Sequence, residues 1–296
     1  MSIKQVLNIS LTFIIWGTAS LSCSKDSGGG QLPSPPEEEK NRSLETTLKE
    51  ADWEIEQLAS GIQWRYFHFP DIMGSQQSIS VFEIDPNTVH FDIDHVTSGF
   101  LKTSEAGLRS NAEVAFNGSY FDTTNGGSTV FYKKNGNIIN ETRSGFTYYR
   151  ENAALAINGN KINIHKKPGG GWNSITAPIV LAGGPLLIYE GKEVTQVNQV
   201  FNTNRHPRTA IGVTASGKVI MVVVDGRSSQ SHGLSTMDLS SLMYALGCVE
   251  AMNLDGGGSS TAWVRDKGVV NFPTDNGNFD HEGERGVATV ITVSLP

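Results

Sequence analysis

The hexapeptide Val219-Ile-Met-Val-Val-Val224 is apolar at every position. A half-buried strand alternates apolar and polar residues, so a run without alternation belongs to a strand covered on both faces. It stops abruptly at Asp225-Gly226-Arg227, and a helix signature follows. Ser235 or Thr236 can accept hydrogen bonds from the free amides of a first helical turn. Leu239, Leu242, Met243 and Leu246 then recur at helical spacing, and Gly247 supplies the stop. Cys248 to Leu254 predicts a further buried strand, and Val287 to Val293 a last one.

Upstream, strand signals dominate. Ile62 to Phe69, Ile79 to Ile84 and Val89 to Ile93 are β-branched and aromatic runs parted by Pro70, Gly74 and Asp85-Pro86-Asn87, a pattern that predicts a meander. Val114 to Phe116, Ala153 to Ile157, Lys161 to Ile164, Leu186 to Tyr189 and Thr209 to Val213 continue it, with Asn158-Gly159 as a hairpin turn. Strands before and after one strong helix predict an α+β fold, a mixed and mostly antiparallel sheet packed on a few helices. No internal repeat or break in composition divides residues 44–296, which predicts a single domain.

The beginning of the chain has another character. Lys4 precedes an apolar stretch from Val6 to Trp16, then small residues lead to Leu21-Ser22-Cys23. This predicts a signal peptide over 1–22. The Leu-Ser-Cys ending resembles a bacterial lipoprotein cleavage site, with Cys23 as the lipidated first residue, although Ser20 stands where leucine is common. Ordinary cleavage with an unmodified Cys23 is the alternative. Residues 23–43, rich in Ser, Gly, Pro and Glu, predict a tether, and a short helical pattern with Leu44, Leu48 and Ala51 follows a Ser43 cap. Export across the inner membrane and lipid anchoring in the bacterial envelope, at the outer membrane or cell surface, follow from this reading, with the membrane reached only through Cys23. Cys248, in an apolar context, is expected to be a buried, inert thiol.

A net charge of −7 without a Lys/Arg cluster excludes a nucleic-acid partner. The absence of a phosphate-binding Gly-x-x-x-x-Gly-Lys loop, a His-Glu-x-x-His pair and a Cys-x-x-Cys pair argues against nucleotide hydrolysis, zincin chemistry and structural zinc. No cofactor is implied. Clustered Asp and Asn oxygens could hold a structural Ca²⁺ or Mg²⁺, yet no loop has a recognisable ligand spacing.

Chemistry concentrates where strands end in acid and glycine. Asp225-Gly226-Arg227 and Asp255-Gly256-Gly257-Gly258-Ser259-Ser260 each carry a carboxylate out of an apolar strand into a backbone that can bend sharply. If the two strands are sheet neighbours, Asp225 and Asp255 lie close and each perturbs the other's pKa. The glycines and serines could form a concave row of N–H groups for an anion or a sugar hydroxyl. Asn117-Gly-Ser-Tyr-Phe-Asp122 sets aromatics beside amide and acid, as sugar-binding surfaces do. Arg208 and Arg285 could fork onto phosphate, and Glu284 adds an acid before the last strand.

Taken in order, these segments resemble the phosphodiester glycosidase family. The resemblance rests on Asn117 to Asp122, Leu181-Ala-Gly-Gly-Pro-Leu186, His206 to Gly212, Val224 to Arg227, Gly233 to Gly247, Asn253-Leu-Asp-Gly-Gly-Gly-Ser-Ser-Thr261 and Glu284-Arg285. It spans about residues 53–294; the Asn-Leu-Asp-Gly-Gly-Gly-Ser-Ser element is highly specific, the others moderately so. Ser119 departs from the family, which often has a second glycine there. The resemblance implies cleavage of a sugar-1-phosphodiester at the anomeric carbon, in a phosphorylated or N-acetylglucosamine-containing glycan. Asp255 or Asp225 would be general base or nucleophile, and Arg208 with the backbone of Gly256 to Ser259 would hold phosphate. Asn117, Asp122 and Glu284 would take sugar hydroxyls or the second carboxylate role, with Arg227, Ser260 and Arg285 completing the binding set. A non-catalytic glycan-binding lipoprotein and a glycosidase acting on exopolysaccharide or peptidoglycan are the alternatives.

Overall fold

Three antiparallel sheets form the described part of the chain. The computed structural model describes residues 37–296, with side chains from residue 43; the signal peptide, Cys23 and residues 23–36 of the expected tether lie outside it. The first sheet runs in the order Glu54–Ala59, Ile62–Ile72, Ser75–Ile84, Val219–Val224, Arg208–Thr214, Cys248–Asn253, Leu186–Tyr189, Lys192–Glu193. The second has Asn137–Asn140, Tyr132–Lys134, Ile179–Gly183, Ala153–Asn158 and Lys161–Lys166; the third has Gly268–Val269, Ala262–Val264, Val114–Asn117, Thr289–Ser294 and His90–His95. The helices are α1 (Glu37–Glu50), α2 (Thr103–Arg109), α3 (Val200–Thr203) and α4 (Thr236–Ala245). The architecture is α+β, and parallel pairing is confined to isolated bridges at Gly99–Gly126 and Thr274–Gly283.

The unbroken apolar strand explains the layering. Val219, Met221 and Val223 enter one core, while Ile220, Val222 and Val224 enter another on the opposite face. Neighbouring Ser75–Ile84 follows the same pleat, with Phe82 and Ile84 on one side and Ile79 and Val81 on the other. The first core also receives Leu155 and Leu181 from the second sheet, and Ile93, Phe116 and Ile291 from the third. The second is closed by Leu44 and Leu48 of α1 and by Leu239, Leu242 and Met243 of α4. Both faces of the strand are therefore desolvated, which is why it carries no polar residue.

Local chemistry sets α4 as expected. Ser235 Oγ accepts from the Asp238 amide at 3.0 Å, and past the helix Gly247 adopts φ +85°, which favours glycine. The hairpin of Ala153–Asn158 and Lys161–Lys166 pairs Asn158 with Lys161, so its two loop residues are Gly159 and Asn160. Helix α1 begins at Glu37, inside the stretch read as tether, because helix formers dominate 37–43; Ser43 is then an interior residue, not the cap. The expected meander holds for its first two strands only. His90–His95 leaves for the third sheet, where Ile93 pairs with Ile291, almost two hundred residues away in sequence. Cys248 is buried among apolar groups that push its thiol up to about 12.

Candidate active site

The two acid-glycine strand ends share one end of the first sheet but are not neighbours. Arg208–Thr214 lies between them, pairing Arg208 with Val224 on one side and Ala210 with Asn253 on the other. Two strand spacings put the Asp225 and Asp255 backbones roughly 10 Å apart. Burial, not the other acid, perturbs each carboxyl, so the expected mutual coupling is replaced by two separate desolvation effects.

Asp225 is 1% exposed. Its Oδ1 accepts from Asn271 Nδ2 at 2.8 Å and the Phe272 amide at 3.0 Å, while Oδ2 has no partner. Burial pushes this carboxyl up to about 7, against the pull of those two donors. Thr274 Oγ1 donates to Gly226 O at 3.2 Å, so Asp225 and Gly226 together hold the base of the loop that carries Asp275 and Arg285. Asp225 does not line the cleft at this end of the sheet.

Asp255 does. A cleft of about 630 Å³ has Asp255, Arg150, Arg143, Arg285, Tyr120 and Phe146 among its walls. Burial raises the Asp255 carboxyl, opposed by the nearby Ser259 hydroxyl, the Gly256 amide and the charges of Arg150 and Arg285. Ser259 Oγ has no hydrogen bond of ordinary geometry, yet it stands close enough to favour the ionised acid. The position is fixed by backbone: the Asp255 amide donates to Gly118 O at 3.0 Å, and Asn117 Nδ2 donates to Asp255 O at 2.8 Å.

Arg150 was not legible in the sequence. Its guanidinium carbon lies 4.3 Å from the Tyr120 ring centroid and 4.4 Å from that of Phe201, a cation held between aromatic faces. Among the described residues it makes no ion pair. Tyr120 is itself anchored, donating to Gly184 O at 2.5 Å and accepting from Asn253 Nδ2 at 3.1 Å, and burial raises its hydroxyl to about 12. The aromatic run Phe146-Thr-Tyr-Tyr-Arg150 is the one sequence signal that could have pointed here.

The glycines serve differently from the expected amide row. The Gly257 amide donates to Pro207 O at 2.9 Å, that of Ser259 to Gly256 O at 3.3 Å and that of Ser260 to Gly257 O at 3.2 Å, so these three are spent within the protein. What the glycines supply is space. A Cβ on Gly256 would lie 2.7 Å from Pro207 O, one on Gly257 2.8 Å from the Arg227 guanidinium, and one on Gly258 2.7 Å from that of Arg285. Omitting three side chains lets two arginines close on the strand end. Arg227 holds φ +62° to do so.

The remaining sequence candidates fall in other places. Arg208 is 1% exposed and gives its donors to the carbonyls of Leu234, Phe201 and Asn204 at 2.9, 2.6 and 3.1 Å, so it braces the wall behind the cleft. Burial lowers it to about 10. Asn117 is fully buried: Oδ1 accepts from Thr209 Oγ1 and the Thr261 amide, which leaves it no atom for a sugar. Asp122 borders the cleft, but its oxygens take the Thr124 and Asn125 amides and Arg143 at 2.6 Å, and Arg143 with these amides holds it down to about 2. Glu284 takes the Ser104 amide and hydroxyl at 2.7 and 2.6 Å, tying down the first turn of α2. Ser260 is buried, and Arg285 pairs with Asp275 at the cleft wall. No three His, Cys, Asp or Glu side chains among the described residues converge to hold a metal ion.

Fold and cleft define an α+β protein with a desolvated acid among arginines and aromatics at a sheet end, a setting that suits an anionic, polyhydroxylated ligand. The family model for phosphodiester glycosidases matches residues 110–294, and the chain belongs to that family. Over 92 residues it is 39% identical to the SPbeta prophage-derived uncharacterized protein YomE of Bacillus subtilis, covering 31% of this chain and 13% of that protein. Over 90 residues it is 32% identical to human N-acetylglucosamine-1-phosphodiester alpha-N-acetylglucosaminidase, covering 30% of this chain and 17% of that one. The matched stretch is thus under a fifth of either relative. In structure it is similar to the zebrafish catalytic domain of that enzyme, auto-inhibited by its pro-peptide, with a TM-score of 0.64, 19% identity, and coverage of 79% of this chain and 82% of that one. A hypothetical protein from Synechocystis gives a TM-score of 0.63 at 16% identity, covering 83% of this chain and 64% of that one.

Proposed function

We propose that this chain hydrolyses sugar-1-phosphodiesters at the anomeric carbon, with N-acetylglucosamine as the sugar. The observation that carries the reading is Asp255, a carboxyl raised by burial and facing a cleft beside Arg150 and Arg285. The other acid lining this cleft, Asp122, is neutralised by Arg143.

One uncommitted acid suits this bond. Water attacks the anomeric carbon and gives its proton to Asp255, while the bond from that carbon to the bridging oxygen breaks and its electron pair leaves with the phosphate. The products are the free sugar and a phosphate monoester, whose second pKa of about 6 makes it a good leaving group without a dedicated acid. Arg150 and Arg285 stabilise the charge that grows on it. A raised pKa makes Asp255 a stronger base than an ordinary aspartate once it is ionised. Lipid anchoring at Cys23 in the bacterial envelope belongs with this proposal, and would hold the cleft near envelope glycans.

The test is release of free N-acetylglucosamine from an α-linked 1-phosphodiester by the pure protein, compared with a simple aryl glycoside. Turnover of the diester alone supports the proposal. Cleavage of the aryl glycoside instead points to an ordinary glycosidase, and tight binding without release to a glycan-binding protein.

A further inference from the structure

The loop of residues 142–151 gives the Asp255 cleft three of its walls, Arg143, Phe146 and Arg150. Both ends of this loop meet at one side chain. Glu151, 3% exposed, accepts from the Thr142 hydroxyl and, at 2.5 Å, from the Trp172 indole N–H on Oε1, and from the Lys167 ammonium on Oε2. Thr142 opens the loop, Lys167 follows the strand Lys161–Lys166, and Trp172 begins the short turn Trp172–Ser174. Thr142 is itself fixed, because its Oγ1 also accepts from the Phe131 amide at 3.0 Å. Neither Glu151 nor any of its three donors lines the cleft.

We propose that Glu151 is a positioning residue for Arg150: it closes the neck of the loop and, by committing its charge to Lys167, leaves the adjacent guanidinium open to the phosphate. The inference rests on the reading of Arg150 given above. One observation is geometric. Arg150 ends the short turn Tyr148–Arg150, and the Glu151 amide completes that turn by donating to Tyr148 O at 3.2 Å. The clamped residue is therefore the one that sets where the arginine leaves the backbone. The rings that Arg150 lies against, Tyr120, Phe146 and Phe201, pack in the same core as Trp172, so one carboxylate holds the cation and its aromatic supports in register. The other observation is electrostatic. A carboxylate next in sequence to a cation is a ready partner, and a pair between them would cancel the charge that the phosphate needs. Here the acid meets Lys167 instead, whose ammonium also lies 5.3 Å from the Trp172 ring centroid. Fastening alone would be served as well by apolar packing, since a buried ion pair adds little net stability. A charge at this point is explained by the cation beside it.

The experiment is a double-variant cycle on the full chain, with Glu151→Ala and Arg150→Ala made singly and together and read as kcat/KM for an α-linked N-acetylglucosaminyl 1-phosphodiester. Glu151→Ala should lose roughly tenfold by itself and less than about twofold where Arg150 is already alanine, because the group it positions is gone. An equal loss in both backgrounds would show a structural role only, and no loss from the single variant would show that Arg150 keeps its place without the clamp; either result overturns the proposal. Should Glu151→Ala not fold, Glu151→Gln, which keeps the volume and removes the charge, takes its place in the cycle and is judged by the same comparison. If the unsubstituted protein cleaves no diester, the hydrolytic reading fails separately, and the cycle is read by calorimetry in the Kd for N-acetylglucosamine 1-phosphate. A Glu151 effect on Kd that vanishes without Arg150 upholds the positioning role, whereas an equal effect in both backgrounds, or no binding by the unsubstituted protein, overturns it.

Discussion

Asp225 and Asp255 leave the same end of one sheet, with a single strand between them, by the same two-residue device, an apolar strand running into Asp-Gly, and burial raises both carboxyls. They differ in what surrounds them. Asp225 meets Asn271 and the Phe272 amide and is sealed in; Asp255 meets Arg150, Arg285 and open space. An acid-glycine strand end therefore fixes where a carboxylate sits, while the neighbours decide whether it anchors a loop or faces a ligand.

The sharpest way to break that contrast is at Asp255. Asp255→Asn should lower diester turnover by about 10²–10⁴-fold with thermal unfolding little changed, as loss of a general base does. In the unsubstituted protein kcat/KM should rise with pH through a limb lying above the ordinary aspartate range, and its absence would remove Asp255 from the proton transfer. Next in size is Arg150→Ala, expected to cost roughly 10–100-fold in kcat/KM through weaker stabilisation of the departing phosphate. An equal loss on an uncharged aryl glycoside would argue against a phosphate contact.

The contrast is sharpened from the other side by Asp225→Asn, read by unfolding across pH. The unfolded chain releases this proton near 3.8, whereas the folded protein keeps it up to about 7. The favourable contribution of the protonated carboxyl is thus full below the lower value and is lost as pH rises to the upper one. The asparagine variant has no such loss, so it should gain on the parent between these limits, by roughly 2–4 kcal/mol at pH 8, with activity within about threefold. A constant difference at all pH values would show that Asp225 does not titrate there. The smallest effect is expected of Gly257→Ala, which places a Cβ against Arg227 at a φ of +65° and should cost about 1–2 kcal/mol of stability.

Legibility from sequence followed the range of the interactions. Helix α4, its Ser235 cap and the buried Val219–Val224 strand are encoded locally, and the structure has them where periodicity put them. Partition into three sheets depends on pairings such as His90–His95 with Thr289–Ser294, for which no local pattern exists. The same holds in the cleft. Asp255 was marked by its glycines, but Arg150 gains its setting from Tyr120 and Phe201, which lie far from it in the chain. Asp122 and Glu284 were candidates because an acid in a loop reads alike whether it caps backbone amides or meets a substrate.

Arg208, clasped by three carbonyls behind the cleft, keeps its positive charge where dissolved ions cannot reach it. Mobile counterions shield exposed cations such as Arg143 within a Debye length of about 8 Å at physiological ionic strength, but an embedded one only weakly. Its field at the cleft is therefore a constant of the protein, much as a permanent magnet differs from an electromagnet, so attraction for an anion should retain a component that added salt does not remove.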